Sequence, residues 1–166
     1  MKNHTMTTRR DFVKNTALAG AALTTLPGWS LNAAAINLEE KLRVGLIGVG
    51  LRGTNHLNNL LLRSDCLVTA LCDIDPRRID IALEMISEAG QKKPKVFQKN
   101  EDDYKNLLDL NEVDAVIIST PWLWHTRMAK DAMWAGKYTG LEVSAANSME
   151  ECWDLVNVHE QTGSHL

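Results

Sequence analysis

Gly48-Val49-Gly50-Leu51-Arg52-Gly53 is a G-x-G-x-x-G run, and Asp73 lies 20 residues past its last glycine. Glycines at this spacing let a backbone turn tightly, approach an anion closely and pack a helix against a strand. Where such a run opens a helix, unpaired N–H groups and the positive end of the helix dipole converge on one point. That is the chemistry of diphosphate binding. A carboxylate ending the next strand then accepts hydrogen bonds from ribose hydroxyls. The pattern therefore predicts a dinucleotide site, with Gly48 making the turn, Gly50 admitting the pyrophosphate and Gly53 allowing close packing. Asp73 favours NAD over NADP, because a 2′-phosphate beside it would meet like charge. Arg77 and Arg78 stand against this, since either could reach a phosphate; both are read as solvated residues at a helix start. Asp75 is read as the cap of the helix that Pro76 opens.

A second candidate segment is Ser119-Thr120-Pro121-Trp122-Leu123-Trp124-His125. It follows an apolar strand, and ligands of open parallel sheets lie beyond the carboxyl ends of the strands. Read as a loop, it offers the flat faces of Trp122 and Trp124 and the imidazole of His125 to a nicotinamide or a sugar. Packing roles for the tryptophans and a cap or core role for His125 stay open. The cysteines suggest no chemistry. Cys66, Cys72 and Cys152 lack the paired spacing of zinc or redox sites, no metal ligands are assigned, and buried free thiols are expected. Cys66 and Cys72 share a predicted strand, about 20 Å apart at about 3.3 Å per residue, too far for a disulfide.

The elements that would position these residues alternate. Strands are predicted at 42–48, 66–72, 95–97, 113–119 and 137–143. Helices are predicted from Leu51 to Arg63, from Pro76 onward, from a cap at Asp102 through Leu110, from His125 to Ala135, and from the capping box at Ser148–Glu151 to Thr162. Strands alternating with helices imply an α/β, Rossmann-type doubly wound parallel sheet. The chain ends at Leu166 where a further strand is expected, which suggests a nucleotide-binding domain truncated before an α/β substrate domain.

Charge separates the chain into two parts. Residues 1–35 hold four Lys/Arg and one Asp, a net of +3, and the remaining 131 residues hold 14 Lys/Arg and 20 Asp/Glu, a net of −6. Thr8-Arg9-Arg10-Asp11-Phe12-Val13-Lys14, a weakly apolar stretch and Ala33-Ala34-Ala35 resemble a Tat export signal spanning 1–35, leaving 36–166 as the folded domain. Export to the periplasm or the exterior through the Tat machinery is expected. An acidic domain without a basic stripe argues against nucleic acid. The absence of an apolar run of about 18 residues argues against a membrane-spanning helix.

Arg43-Val44-Gly45-Leu46-Ile47-Gly48, the Cys72-Asp73 strand end and the Ser119 to His125 segment resemble the Gfo/Idh/MocA oxidoreductase superfamily. Residues 41–166 are similar to its amino-terminal NAD-binding domain. Many sugar dehydrogenases of that superfamily carry Glu-Lys-Pro after the fifth strand, with the lysine in the active site. Glu142-Val143-Ser144 stands there instead, which weighs against simple alcohol dehydrogenation. Gly140-Leu141-Glu142-Val143, the Trp122 to His125 segment and the twin-arginine leader together resemble glycoside hydrolase family 109, α-N-acetylgalactosaminidases that use NAD without consuming it.

That resemblance implies oxidation of the sugar C3 hydroxyl, elimination of the glycosidic substituent across C1–C2, addition of water and reduction. Such a route needs no carboxylate pair. It also implies that Leu51, Arg52, Asp73, Trp122, Leu123, Trp124, His125, Glu142 and Val143 contact NAD. The His and Tyr that act on the sugar are expected beyond Leu166, so this chain should bind NAD weakly at best and have no turnover alone. His56, His159 and His165 are assigned no role.

Three readings follow: the cofactor domain of an exported NAD-dependent glycosidase, a periplasmic sugar oxidoreductase, and a non-catalytic truncated nucleotide-binding module. The absent lysine after Glu142 disfavours the second. The partners expected are a sugar or glycan and the export machinery, and self-association of a longer protein is left open.

Overall fold

Successive residues of a strand point to opposite faces of the sheet, so an apolar pair such as Leu46-Ile47 has to be covered on both sides. The computed structural model, which describes residues 41–166, shows how. The leader assigned to 1–35 lies outside the described residues. Strands β1 (Leu42–Ile47), β2 (Cys66–Cys72), β3 (Lys95–Phe97), β4 (Ala115–Ile118) and β5 (Tyr138–Leu141) alternate with helices α1 (Leu51–Leu61), α2 (Pro76–Glu88), α3 (Tyr104–Leu108), α4 (Trp122–Trp134) and α5 (Met149–Thr162). The strands form one sheet in the order β3-β2-β1-β4-β5, and every neighbouring pair is parallel.

Leu46 packs with Val68 and Leu71 under Leu57 of α1 and Ile79, Ala82 and Ile86 of α2. Ile47 packs on the opposite face with Cys72, Val116 and Ile118 under Leu107 of α3, Met128, Ala129 and Met133 of α4, and Leu155 and Val158 of α5. The sheet is thus doubly covered, as the alternation of elements predicts. After α5 the chain returns beside β5, where Thr139 N–H donates to the carbonyl of His165 at 3.0 Å. Among the described residues no helix is long and apolar enough to cross a membrane.

Several expected boundaries and caps need correction. The segment Trp122 to His125 is not a loop: α4 starts at Trp122, three residues before the predicted start. Pro121 takes the cap position with φ −59°, and its carbonyl accepts from Trp124 N–H at 2.9 Å. Asp102 does not cap α3. The cap position falls on Asp103, whose carboxylate accepts from Lys99 N–H and Asn106 Nδ2 instead, while Asp102 pairs with Arg127 and Lys105. The fourth and fifth strands are shorter than predicted, at four residues each.

Asp75 does cap α2, accepting from Arg77 N–H at 3.0 Å. Ser148 caps α5 by accepting from Glu151 N–H, but Glu151 returns its carboxylate to Asn147 N–H rather than to Ser148. Cys66 and Cys72 are buried free thiols, whereas Cys152, on the outer side of α5, is exposed. Burial foremost, and then the nearby Asp103 and Asp73 carboxylates, push the Cys72 thiol up to about 12, so it is not a nucleophile at neutral pH.

One support of β4 has no signal in the hydrophobic pattern. Lys137 is buried, and its Nζ donates to the carbonyls of Leu110 at 2.7 Å and Val113 at 2.9 Å. Replacing it by an apolar side chain of similar length leaves both carbonyls without that donor. Lys137→Met is expected to lower unfolding stability by about 2–3 kcal/mol, the cost of unpaired buried polar groups, measured by urea denaturation.

Candidate cofactor-binding site

The strand order reverses direction at β1, which neighbours β2 on one side and β4 on the other. The chain leaves β1 toward α1 and leaves β4 toward α4, on opposite faces, so the two loops part and leave a crevice at their carboxyl ends. Gly48, at φ +86°, brings these loops together: a side chain there would come within 2.9 Å of the Ser119 backbone. At Gly53 the constraint is stronger, because a Cβ would lie 2.0 Å from the Gly48 carbonyl oxygen.

Gly50 is the opposite case, since nothing lies within 4 Å of the position its Cβ would occupy. Gly50 is also the cap residue of α1, with no side-chain cap and no acidic residue in the first turn. Open space, uncapped N–H groups and the positive helix end therefore coincide, and they fit a diphosphate. The Ser119 hydroxyl, facing the Gly53 side of this crevice wall, is buried without a hydrogen-bond partner among the described residues.

Asp73 follows β2 and is half-buried. Its Oδ2 accepts from Val49 N–H at 2.8 Å and its Oδ1 from Asp75 N–H at 2.9 Å. Gly48 N–H adds a bond to the Cys72 carbonyl at 2.8 Å. The carboxylate thus ties the glycine turn to the end of β2, and each oxygen keeps acceptor capacity for a ribose hydroxyl. Arg77 is turned onto Asp75, its NH2 2.9 Å from Oδ2, which leaves it directed at a protein carboxylate.

On the β4–β5 side, the first turn of α4 directs Trp122 and Leu123 outward at 63% and 85% exposure. With Thr120, Pro121 and Asn147 they line a cavity of about 430 Å3. Trp124 packs against the core, with the Arg127 guanidinium 5.2 Å from its ring. His125 is 1% exposed. Its Nδ1 and Nε2 lie 2.7 and 2.8 Å from the carbonyls of Ser144 and Thr120. It joins the loops that follow β4 and β5 and lies beneath the crevice surface formed by its neighbours.

Val143 is exposed, and Glu142 accepts from Arg52 NH2 at 2.9 Å and from His56 Nε2 at 2.7 Å, both at Oε1. These two donors, His56 first, hold the Glu142 carboxyl below the usual carboxylate range. Sequence reasoning missed His56. Its only signal is the four-residue spacing from Arg52, which places both on one face of a helix.

Leu51, Arg52, Asp73, Trp122, Leu123, Glu142 and Val143 therefore surround the carboxyl ends of β2, β1, β4 and β5, while Trp124 and His125 are supports set behind them. A larger cavity, about 580 Å3, lies at the opposite ends of the strands, among Lys41, Cys66, Lys92 and Lys93. It has neither the glycine turn nor a helix start, the two features that would seat a diphosphate.

A family model described as "Oxidoreductase family, NAD-binding Rossmann fold" (Gfo/Idh/MocA) matches residues 42–166. A glycosyl hydrolase family 109 protein of Parabacteroides distasonis is 43% identical over 172 residues, covering 96% of this chain and 37% of its own length. An α-N-acetylgalactosaminidase of Tannerella forsythia is 41% identical over 175 residues, with the same coverage of 96% and 37%. The chain thus spans just over a third of the length of these relatives.

Among solved structures, the myo-inositol 2-dehydrogenase of Lactobacillus plantarum aligns with TM-score 0.64 at 24% identity, over 76% of this chain and 35% of that one. A 3-ketoreductase of Actinomadura kijaniata, solved with NADP, aligns with TM-score 0.62 at 22% identity, over 75% of this chain and 36% of that one. At these identities the likeness is one of fold.

The two glycines give opposed expectations. Gly53→Ala should prevent native packing and abolish the cooperative thermal transition. Gly50→Ala should keep the melting temperature, because its Cβ meets nothing, yet weaken dinucleotide binding about tenfold or more by obstructing the phosphates. Calorimetry and a binding titration on the two variants check both.

Proposed function

This chain belongs to the Gfo/Idh/MocA oxidoreductase family, and on that premise we propose that it is the NAD-binding unit of an exported glycosidase that hydrolyses α-N-acetylgalactosaminides. The observation that carries the cofactor assignment is Asp73, held by two backbone N–H groups at the end of β2 beside an uncapped, glycine-lined helix start. Its carboxylate favours NAD over NADP by repelling a 2′-phosphate. A structural neighbour of the same fold was solved with NADP, so the preference for NAD rests on the charge of Asp73 and not on the fold.

The glycosidase reading draws on the relatives named family 109 proteins and α-N-acetylgalactosaminidase and on Val143 standing where many dehydrogenases carry lysine. The chemistry a bound nicotinamide supplies is reversible oxidation of the sugar C3 hydroxyl, which acidifies the C2 proton and lets the glycosidic substituent leave. This chain's residues seat and orient the dinucleotide: the N–H groups at the start of α1 hold the diphosphate, and Asp73 holds the adenosine ribose. Trp122 and Leu123 form an apolar wall on the β4 side that shields the reacting face from water. The groups that act on the sugar belong to a further domain. Arg9-Arg10 in the leader supports export in the folded state, with the dinucleotide already seated.

Asp73→Ser should weaken NAD about tenfold, the loss of hydrogen bonds to a charged group, and raise NADP relative to NAD. Parallel titrations with both dinucleotides check this. The longer protein should release nitrophenol from para-nitrophenyl α-N-acetylgalactosaminide without net NADH, whereas stoichiometric NADH from a free sugar would make it an oxidoreductase. With Arg9→Lys and Arg10→Lys together, cell fractionation should find the protein retained in the cytoplasm; unchanged export would remove the Tat assignment.

A further inference from the structure

Arg52 and His56 sit one turn apart on α1 and share a single acceptor, Oε1 of Glu142, at 2.9 and 2.7 Å. Glu142 directly follows β5, and its own N–H donates to the Ile118 carbonyl of β4 at 3.0 Å. The contact therefore runs from α1 across the end of β4 to the end of β5, along the rim of the crevice. The other carboxylate oxygen, Oε2, accepts from no protein group among the described residues. A carboxylate offers about four acceptor directions. Two donors on Oε1 fix its plane and leave Oε2 for a ligand.

The course of a dinucleotide says what that ligand is. With its adenosine ribose on Asp73 at the end of β2, a dinucleotide would place its diphosphate at the start of α1. The nicotinamide half would then continue across the switch point toward β4 and β5, where the next hydroxyl-bearing group is the second ribose. Of the two donors, Arg52 is the more exposed, at 63% against 29% for His56, and its longer stem has more torsions to restrain. The shorter imidazole is the better anchor.

We propose that His56 is a positioning residue of the cofactor site: it holds Oε1 of Glu142 so that Oε2 receives a hydroxyl of the ribose on the nicotinamide side. This rests on reading the crevice as a dinucleotide site. It differs from a purely structural tie between α1 and β5 in one respect. A structural tie supports every ligand of the crevice alike, whereas the positioning role acts only on ligands that carry the second ribose.

The test compares NAD with ADP, which lacks that ribose, by NMR titration of the 166-residue chain. His56→Ala should weaken NAD about tenfold, the effect of one hydrogen bond to a charged group, and leave ADP within about twofold. His56→Gln, whose side-chain amide can donate to the same oxygen, should restore NAD binding. His56→Ala added to Glu142→Gln should cause no further loss, the signature of one coupled unit. Equal weakening of NAD and ADP, no change in either, or failure of the glutamine variant to restore NAD overturns the assignment.

If His56→Ala does not give dispersed native spectra, His56→Leu, which fills the same space without a donor, decides: NAD-selective loss supports the assignment and its absence overturns it. An unaltered chain that binds neither ligand at millimolar concentrations, where even weak binding registers, overturns the reading of the crevice and this assignment with it. That result is distinct from binding that His56 does not affect.

Discussion

The fold places α1 so close to the turn after β1 that residue 53 has no room for a side chain; its Cβ would stand 2.0 Å from the Gly48 carbonyl oxygen. This steric constraint sets the position of the helix start relative to the sheet. With any larger residue there, the helix would lift away and its first N–H groups would no longer point into the crevice between β1 and β4. Close packing and anion binding are thus one geometric requirement. It is met by removing side chains where backbones touch, at Gly48 and Gly53, and where a ligand must approach, at Gly50.

Around that seat stand two carboxylates, one on each side of the crevice. Asp73 lies on the β2 side, held by backbone N–H groups. Glu142 lies on the β5 side, held by side chains from α1. The helix that supplies the anion site therefore also braces the far wall. Between them, the apolar first turn of α4 and the buried His125, set between two backbone carbonyls, give the β4 side its shape. A compact substructure of Rossmann type thus brings together residues that lie as far apart in sequence as Arg52 and Glu142.

Much of this was legible in the residues because it is local. The alternation of apolar strands and amphipathic helices determines the sheet. The G-x-G-x-x-G run and Asp73 belong to one βαβ unit, whose geometry the motif itself specifies. Other features were not legible, for identifiable reasons. Pro121 can end a strand or cap a helix, and only the bond from Trp124 N–H to its carbonyl decides that Trp122 begins a helix. Lys137 looks like a surface residue until β4 and α3 place two carbonyls around its ammonium. His56 meets a partner 86 residues away, a contact set by strand order rather than by spacing. Asp102 and Asp103 are adjacent acids at a helix start, and choosing between them depends on Lys99 and Asn106, which the chain brings round only once folded.

The central claim is that the start of α1 seats a diphosphate. The most direct measurement is a titration of the isotopically labelled chain with ADP, following backbone amide shifts residue by residue. The account predicts the largest, saturable shifts at Gly50, Leu51, Arg52 and Gly53, with smaller ones at Val49 and Asp73, and none at Lys92 or Lys93 at the opposite end of the strands. Shifts confined to Lys41, Lys92 and Lys93, or no saturable shift at the glycine turn, would contradict it.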